Sequence, residues 1–279
     1  MARNWRATDG TGRPPILCLN GIDRTMATVE RFAEALSDSS EKPGFDVFSF
    51  DLRGRGLSDP PKSSNDYSLD ADCDDLIDMI TALGLEHAHV VASSYGGMMA
   101  MSLASSRPGF LKSVVLNDAS PVLDGETLAR TQYWLRRNRT FKTWEDVAES
   151  LKSAFAIRFP AWNEAHWQEL SKVLCIEGKK GIRFHASESC LKYLLALGED
   201  LDVRTMWREF AGLKHCPLLL IKSEFSSTLV GAVLDDMSTI RRESSAGTKL
   251  LQIEGQGGYP LLHTPKVQAA VQEFALSKS

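Results

Sequence analysis

Six short runs, at 16–19, 46–50, 89–92, 113–116, 218–221 and 249–253, are largely apolar and lack the polar alternation of a half-exposed strand. A strand that is apolar at successive positions is buried on both faces, which requires a parallel sheet with helices on each side. The segments joining the runs are long enough for right-handed crossovers. In two of them, 29–36 and 72–83, apolar residues recur at helical spacing. The pattern predicts an α/β chain with a doubly wound, mostly parallel sheet.

The rhythm breaks between about Val122 and Ala211. Five of the six tryptophans lie there, Trp134, Trp144, Trp162, Trp167 and, near the end, Trp207. Thr143-Trp144-Glu145-Asp146 reads as an N-capped helix start with acidic residues in its first turn, and Asn163-Glu164-Ala165-His166 as another. A mostly helical lid at 123–211 is therefore expected, inserted into a core made of 1–122 and 212–279. Such a lid covers an active site and shapes its specificity.

Composition narrows the function. The 279 residues are 43% hydrophobic and 24% charged, which excludes a disordered or fibrous chain. A net charge of −4 gives no overall attraction to nucleic acid or anionic lipid, and Arg136-Arg137-Asn138-Arg139 reads as a solvated helix face. Cys18, Cys73, Cys175, Cys190 and Cys216 are scattered, with no CxxC pair, which argues against a disulfide framework and a zinc site. No apolar run is long enough to cross a bilayer, and the first residues carry no apolar core of a secretion signal. The expectation is a cytoplasmic protein that takes a small molecule, with no cofactor, no metal, no nucleic acid and no membrane.

Ala92-Ser93-Ser94-Tyr95-Gly96-Gly97 follows a buried run and precedes the apolar stretch Met98-Met99-Ala100-Met101. A strand, a sharp turn and a helix are the context that a G-x-S-x-G nucleophile elbow requires. The turn needs small neighbours, here Ala92 two before Ser94 and Gly96 two after. Ser94 would project at the carboxyl end of the sheet, where a helix N-terminus favours a developing anion. The bland alternative is a tight strand-to-helix link with no chemistry.

With these residues the chain resembles the α/β-hydrolase-fold family over nearly its whole length. Leu19-Asn20-Gly21-Ile22-Asp23-Arg24-Thr25 is similar to the turn that donates an oxyanion-hole amide in that family. Asp51-Leu52-Arg53-Gly54-Arg55-Gly56-Leu57-Ser58 resembles its D-x-R-G-x-G-x-S segment. Leu116-Asn117-Asp118-Ala119-Ser120-Pro121 resembles the strand exit of a subgroup acting on small esters, lactones or carbon–carbon bonds. The resemblance implies Ser94 at the nucleophile position and the amides of Ile22 and Tyr95 as oxyanion donors. Too few residues precede Ile16 for both of the family's opening strands, so one is expected to be missing.

The resemblance fails at two places. The family's acid lies in a segment like G-E-x-S-D-x-L; here Ser223-Glu224-Phe225-Ser226-Ser227-Thr228-Leu229 places Ser227 at the Asp position. The base lies in a G-x-G-H-x-P loop; here Gly255-Gln256-Gly257-Gly258-Tyr259-Pro260 places Gly258 at the His position. Neither residue can do the missing chemistry, so a degenerate triad is expected. Asp118 is a possible substitute for the acid. His263 is a possible substitute for the base, five residues on, which spans at most about 17 Å. His166 and His185 fall in the lid, while His87, His89 and His215 fall at the far end of the sheet.

Three readings follow. One is an enzyme that works on a small carbonyl or ester compound through Ser94 and the oxyanion hole, with weak or non-hydrolytic chemistry. The second is an inactive small-molecule-binding or interaction protein on the same fold. The third is an ordinary serine hydrolase with a displaced base.

Overall fold

Five of the six apolar runs become the inner strands of one sheet because each is buried from both sides, whereas 249–253 forms an edge strand with Leu250 exposed, so that run is not the doubly buried strand expected. The structure is a computed structural model and describes residues 1–279 except 11, 39, 64–65, 123–124, 138–139, 197–204, 258–260 and 279. The chain opens with β1 (Ala2–Trp5) and β2 (Ile16–Leu19), followed by α1 (Glu30–Ser37) and β3 (Val47–Phe50). Next come α2 (Leu69–Leu83), β4 (Ala88–Ser93), α3 (Tyr95–Ser106) and β5 (Leu111–Asn117). The sheet resumes at β8 (Leu218–Phe225), then α9 (Gly231–Arg241), β9 (Thr248–Gly257) and α10 (Pro265–Leu276). Between β5 and β8 lie α4 (Gly125–Arg137), α5 (Trp144–Phe155), α6 (Glu164–Leu174), β6 (Cys175–Gly178), β7 (Gly181–Phe184), α7 (Glu188–Ala196) and α8 (Trp207–Gly212).

Seven strands pair in the order β1-β3-β2-β4-β5-β8-β9. All neighbours are parallel except β1, which runs antiparallel to β3 at the edge. Alternate residues of one strand feed opposite faces. Leu17, Val90, Val114 and Leu220 pack with Leu76 of α2, Met99 of α3, Phe210 of α8 and Met237 of α9. Ile16, Val91, Val115 and Ile221 pack on the other side with Phe32 of α1 and Val267 and Phe274 of α10. The sheet is doubly wound. One opening strand does precede Ile16, and it is the antiparallel β1.

The segment between β5 and β8 has its own core, built on Trp134, Val147, Leu151, Trp167, Leu174 and Phe184. Both helix starts read from the sequence are capping boxes. Thr143 Oγ1 accepts from the Asp146 amide while Asp146 Oδ2 accepts from the Thr143 amide, each at 3.1 Å. Asn163 does the same for α6, its Oδ1 accepting from the His166 amide at 3.3 Å. The antiparallel β6–β7 hairpin lies outside the sequence reading, because two four-residue strands around Lys179-Lys180 carry no period-two signal. Met206 and Phe210 already pack with α3, so α8 lies on the sheet's helical layer.

Candidate active site

Ser94 follows β4 and stands at the N-cap position of α3 with φ 49° and ψ −117°. A non-glycine residue in such a conformation costs on the order of 1–3 kcal/mol, held only where its surroundings leave no alternative. Those surroundings are the small residues. A Cβ at Gly96 would lie 2.5 Å from the Leu19 carbonyl carbon and 2.9 Å from the Asn20 oxygen, while one at Gly97 would lie 2.5 Å from Ala119 Cβ. The first turn of α3 is thus wedged between the loops that leave β2 and β5. From 88 to 101 every residue is buried except Ser94, which is exposed.

The two proposed oxyanion donors sit on either side of this turn. A Cβ at Gly21 would stand 3.7 Å from Ser94 Cβ, which brings the loop after β2 against the elbow. Among the described residues the Ile22 amide donates to no protein group. Tyr95 opens α3, where a helix leaves its first N–H groups without intrahelical partners. Asp51 fixes the neighbouring turns, its carboxylate accepting from the amides of Met26 (2.7 Å) and Leu57 (2.8 Å).

Arg158 meets Ser227, which the sequence reading put at the acid position, and the end of the strand that leads to Gly258. Ser227 Oγ accepts from Arg158 Nη1 at 2.6 Å, and Arg158 belongs to the 3-10 turn that follows α5. The same turn lies on the end of β9: a Cβ at Gly257 would be 2.7 Å from Arg158 Cβ. Gly258 itself lies outside the described residues. No sequence signal pointed to Arg158, which reaches Ser227 across 69 residues of chain.

Asp118 follows β5 with φ 49° and lines the same cavity as Ser94. Its Oδ1 accepts from the Ser223 amide at 3.3 Å and its Oδ2 from Ser223 Oγ at 3.0 Å. Burial raises its pKa to about 6, opposed by hydrogen bonds from Ser226 and Ser223. His263 also lines the cavity, but its Nε2 stands 3.6 Å from Glu169 Oε1, an oxygen that Arg31 Nη1 meets at 2.8 Å. Burial lowers the His263 pKa while Glu169 raises it. Among the described residues no side chain hydrogen-bonds the Ser94 hydroxyl.

Three further histidines make local contacts, and one of them, His166, also lines the cavity. His166 caps α6 and stacks on Trp162, with ring centroids 5.7 Å apart. The His185 carbonyl accepts from the Gly56 amide at 3.1 Å. His89 is buried at the start of β4 with Nδ1 2.8 Å from Ser113 Oγ, and burial lowers its pKa to about 4. The five cysteines are buried and free, and burial raises Cys73 and Cys216 to about 11, so none is a ready thiolate.

Above Ser94 lies a cavity of about 920 Å³. The core side contributes Ile22, Tyr95 and Asp118, and the facing segment contributes Trp134, Phe159 and Trp162. Trp167 packs beneath Trp162 instead, at 4.7 Å between centroids, and Trp207 packs on Phe210. Two of the tryptophans therefore face the cavity, while Trp167 and Trp207 fill cores. Among the described residues no helix is long and apolar enough to cross a membrane.

Comparison with known proteins agrees with this fold. The chain is 23% identical over 266 residues to the 3-hydroxybutyrate-oligomer hydrolase of Cupriavidus necator, covering 93% of this chain and 87% of that protein. It is 28% identical over 237 residues to the 2-(acetamidomethylene)succinate hydrolase of Mesorhizobium japonicum, covering 83% and 78%. A crystal structure of an α/β hydrolase from Novosphingobium aromaticivorans superposes with a TM-score of 0.84 at 27% identity, covering 100% of this chain and 98% of that one. A family model described as alpha/beta hydrolase fold matches residues 14–167, more than half of the sequence. The chain belongs to the α/β-hydrolase fold family.

Proposed function

We propose that this protein is an enzyme acting on a small carbonyl or ester substrate through Ser94 and the amides of Ile22 and Tyr95, without a standard acid–base pair. The observation that carries this reading is the exposed Ser94 at a strained elbow beneath a 920 Å³ cavity, with Arg158 standing on Ser227 where the acid belongs. Gly258 supplies no imidazole. The relatives named above are hydrolases of 3-hydroxybutyrate oligomers and of 2-(acetamidomethylene)succinate, which supports small carbonyl compounds as the substrate class.

The magnitudes define the chemistry. Loss of the base in a serine protease costs on the order of 10⁶ in turnover and leaves roughly 10³–10⁴ over water from the oxyanion hole and binding. Amide-like substrates are then out of reach. Activated esters remain, as do elimination, cyclisation and retro-aldol cleavage, which need oxyanion stabilisation above all. Asp118, held by two serines, is the acid of this site in the proposed arrangement. Because Asp118 sits on the carboxyl end of β5, next to β4, it is closer in the sheet order to Ser94 than Ser227 is.

The second reading is a displaced base, favoured by one observation: His263 and Ser94 share a cavity wall. Hydrolysis of p-nitrophenyl acetate separates the cases. The proposal expects turnover at least about 10³-fold below that of a family member with an intact triad, and its loss in Ser94→Ala. Turnover equal to that member's and abolished by His263→Ala would establish the displaced base. No Ser94-dependent turnover, with tight binding of short aryl carboxylates, would establish a binding protein.

A further inference from the structure

The proposed reaction requires two amides from different loops to converge on one oxygen. Oxyanion donors act at 2.7–3.1 Å from the developing charge, so a small relative drift of the loops weakens both bonds. Ile22 lies in the loop after β2, and Tyr95 begins α3 after β4. We infer that Arg55 and Asp72 form a buried strut that sets these two donors at a fixed spacing, and that they are positioning residues for the reaction; this rests on the function proposed above.

The geometry runs as one chain of contacts. Arg55 Nε donates to the Ile22 carbonyl at 2.7 Å, which fixes the peptide on the far side of the donor residue. Arg55 Nη1 stands 3.7 Å from Asp72 Oδ2. That same oxygen accepts from the Tyr95 hydroxyl at 2.9 Å. Asp72 is anchored by α2, and the side chains of Arg55 and Asp72 are 1% and 0% exposed. Arg53, from the same glycine-rich turn, holds Asp75 of α2 at 2.7 Å, which ties that turn to the helix carrying Asp72.

Stability alone does not account for the pair. Replacing a buried ion pair by well-packed apolar residues is often neutral or stabilising, so such a pair is poor evidence of a contribution to the fold. This one is incompletely bonded: Arg55 Nη2 and Asp72 Oδ1 have no hydrogen-bond partner among the described residues. Within its own turn the pair meets Arg53, whose carbonyl accepts from Arg55 Nη1 at 3.1 Å and whose Nε stands 4.0 Å from Asp72 Oδ1; outside that turn its hydrogen bonds go to one carbonyl and one phenol, each belonging to a proposed oxyanion residue.

Tyr95→Phe removes the hydroxyl at one end of the strut and keeps the amide. With p-nitrophenyl acetate the strut expects kcat to fall about 10- to 100-fold, less than the loss of a whole donor, with KM changed less than about twofold. Arg55→Lys should lower kcat in the same way, since Lys lacks the planar fork that meets both acceptors. A second readout needs no turnover. The backbone amide resonance of Ile22 should move in Tyr95→Phe, and that of Tyr95 in Arg55→Lys, because each change is passed across the pair. Unchanged kcat in Tyr95→Phe with an unmoved Ile22 resonance would overturn the strut. Turnover that survives Ser94→Ala would refute the proposed function alone, and the crossed resonance shifts would still decide the strut.

Discussion

Arg158 sets a fixed cation on Ser227, and that changes what single substitutions do. In Ser227→Asp the new carboxylate meets a guanidinium already 2.6 Å from the serine oxygen. The expected outcome is a salt bridge to Arg158, worth about 1 kcal/mol at this half-buried site, and a Tm higher by about 2–4 °C. Ester turnover should not rise. Adding Gly258→His should also fail while Arg158 stands, and should succeed only with Arg158→Ala, because the Arg158 turn lies on the end of β9. Calorimetry and p-nitrophenyl acetate turnover check both halves. The sequence reading set Ser227 and Gly258 at the acid and base positions because flanking residues place them without gaps. Arg158 was not readable, because only the folded turn after α5 carries it there.

Two buried groups tilt stability with pH in opposite directions. The His89 pKa is lowered from 6.5 to about 4, so the unfolded chain takes the proton first and stability is lost as pH falls through that window. Asp118 is raised from 3.8 to about 6, so its contribution is full below 3.8 and is lost as pH rises to about 6. Between about pH 4 and 6 the two slopes oppose one another. Asp118→Asn should therefore steepen the fall of stability on acidification, and His89→Gln should reverse its sign. Urea unfolding at a series of pH values would show this; parallel curves for wild type and both variants would refute it.

At the scale of elements, the wedge of α3 between two loops is the feature most open to test. Gly97→Ala puts a methyl 2.5 Å from Ala119 Cβ, an overpacking expected to cost about 1–3 kcal/mol. Ala119→Gly in the same chain should restore most of that loss, because it removes the atom that is struck. Denaturant midpoints for the two single variants and the double variant give the coupling. The elbow was legible because a tight turn demands small residues at fixed offsets. The helix starts at Thr143 and Asn163 were legible because capping uses a short side chain followed by a partner three residues on. The β6–β7 hairpin and β1 were not, as four-residue strands with exposed polar positions look like loop.

For the whole molecule, a continuous sheet sets Ser94, Asp118 and Ser227 along one edge, and a separate aromatic core roofs the cavity above them. The order of the inner strands and their helices was readable because both faces of the sheet demand apolar residues at those strand positions. Which side chains close the cavity was not, since that depends on how the roof is seated. The central claim is that the oxyanion hole works here without an imidazole base. Its most direct test is kcat/KM for p-nitrophenyl acetate from about pH 5 to about pH 9, in the wild-type protein and in His263→Gln. The account predicts superimposable profiles for the two proteins, both lost in Ser94→Ala. A wild-type inflection in the imidazole range that disappears in His263→Gln would contradict it.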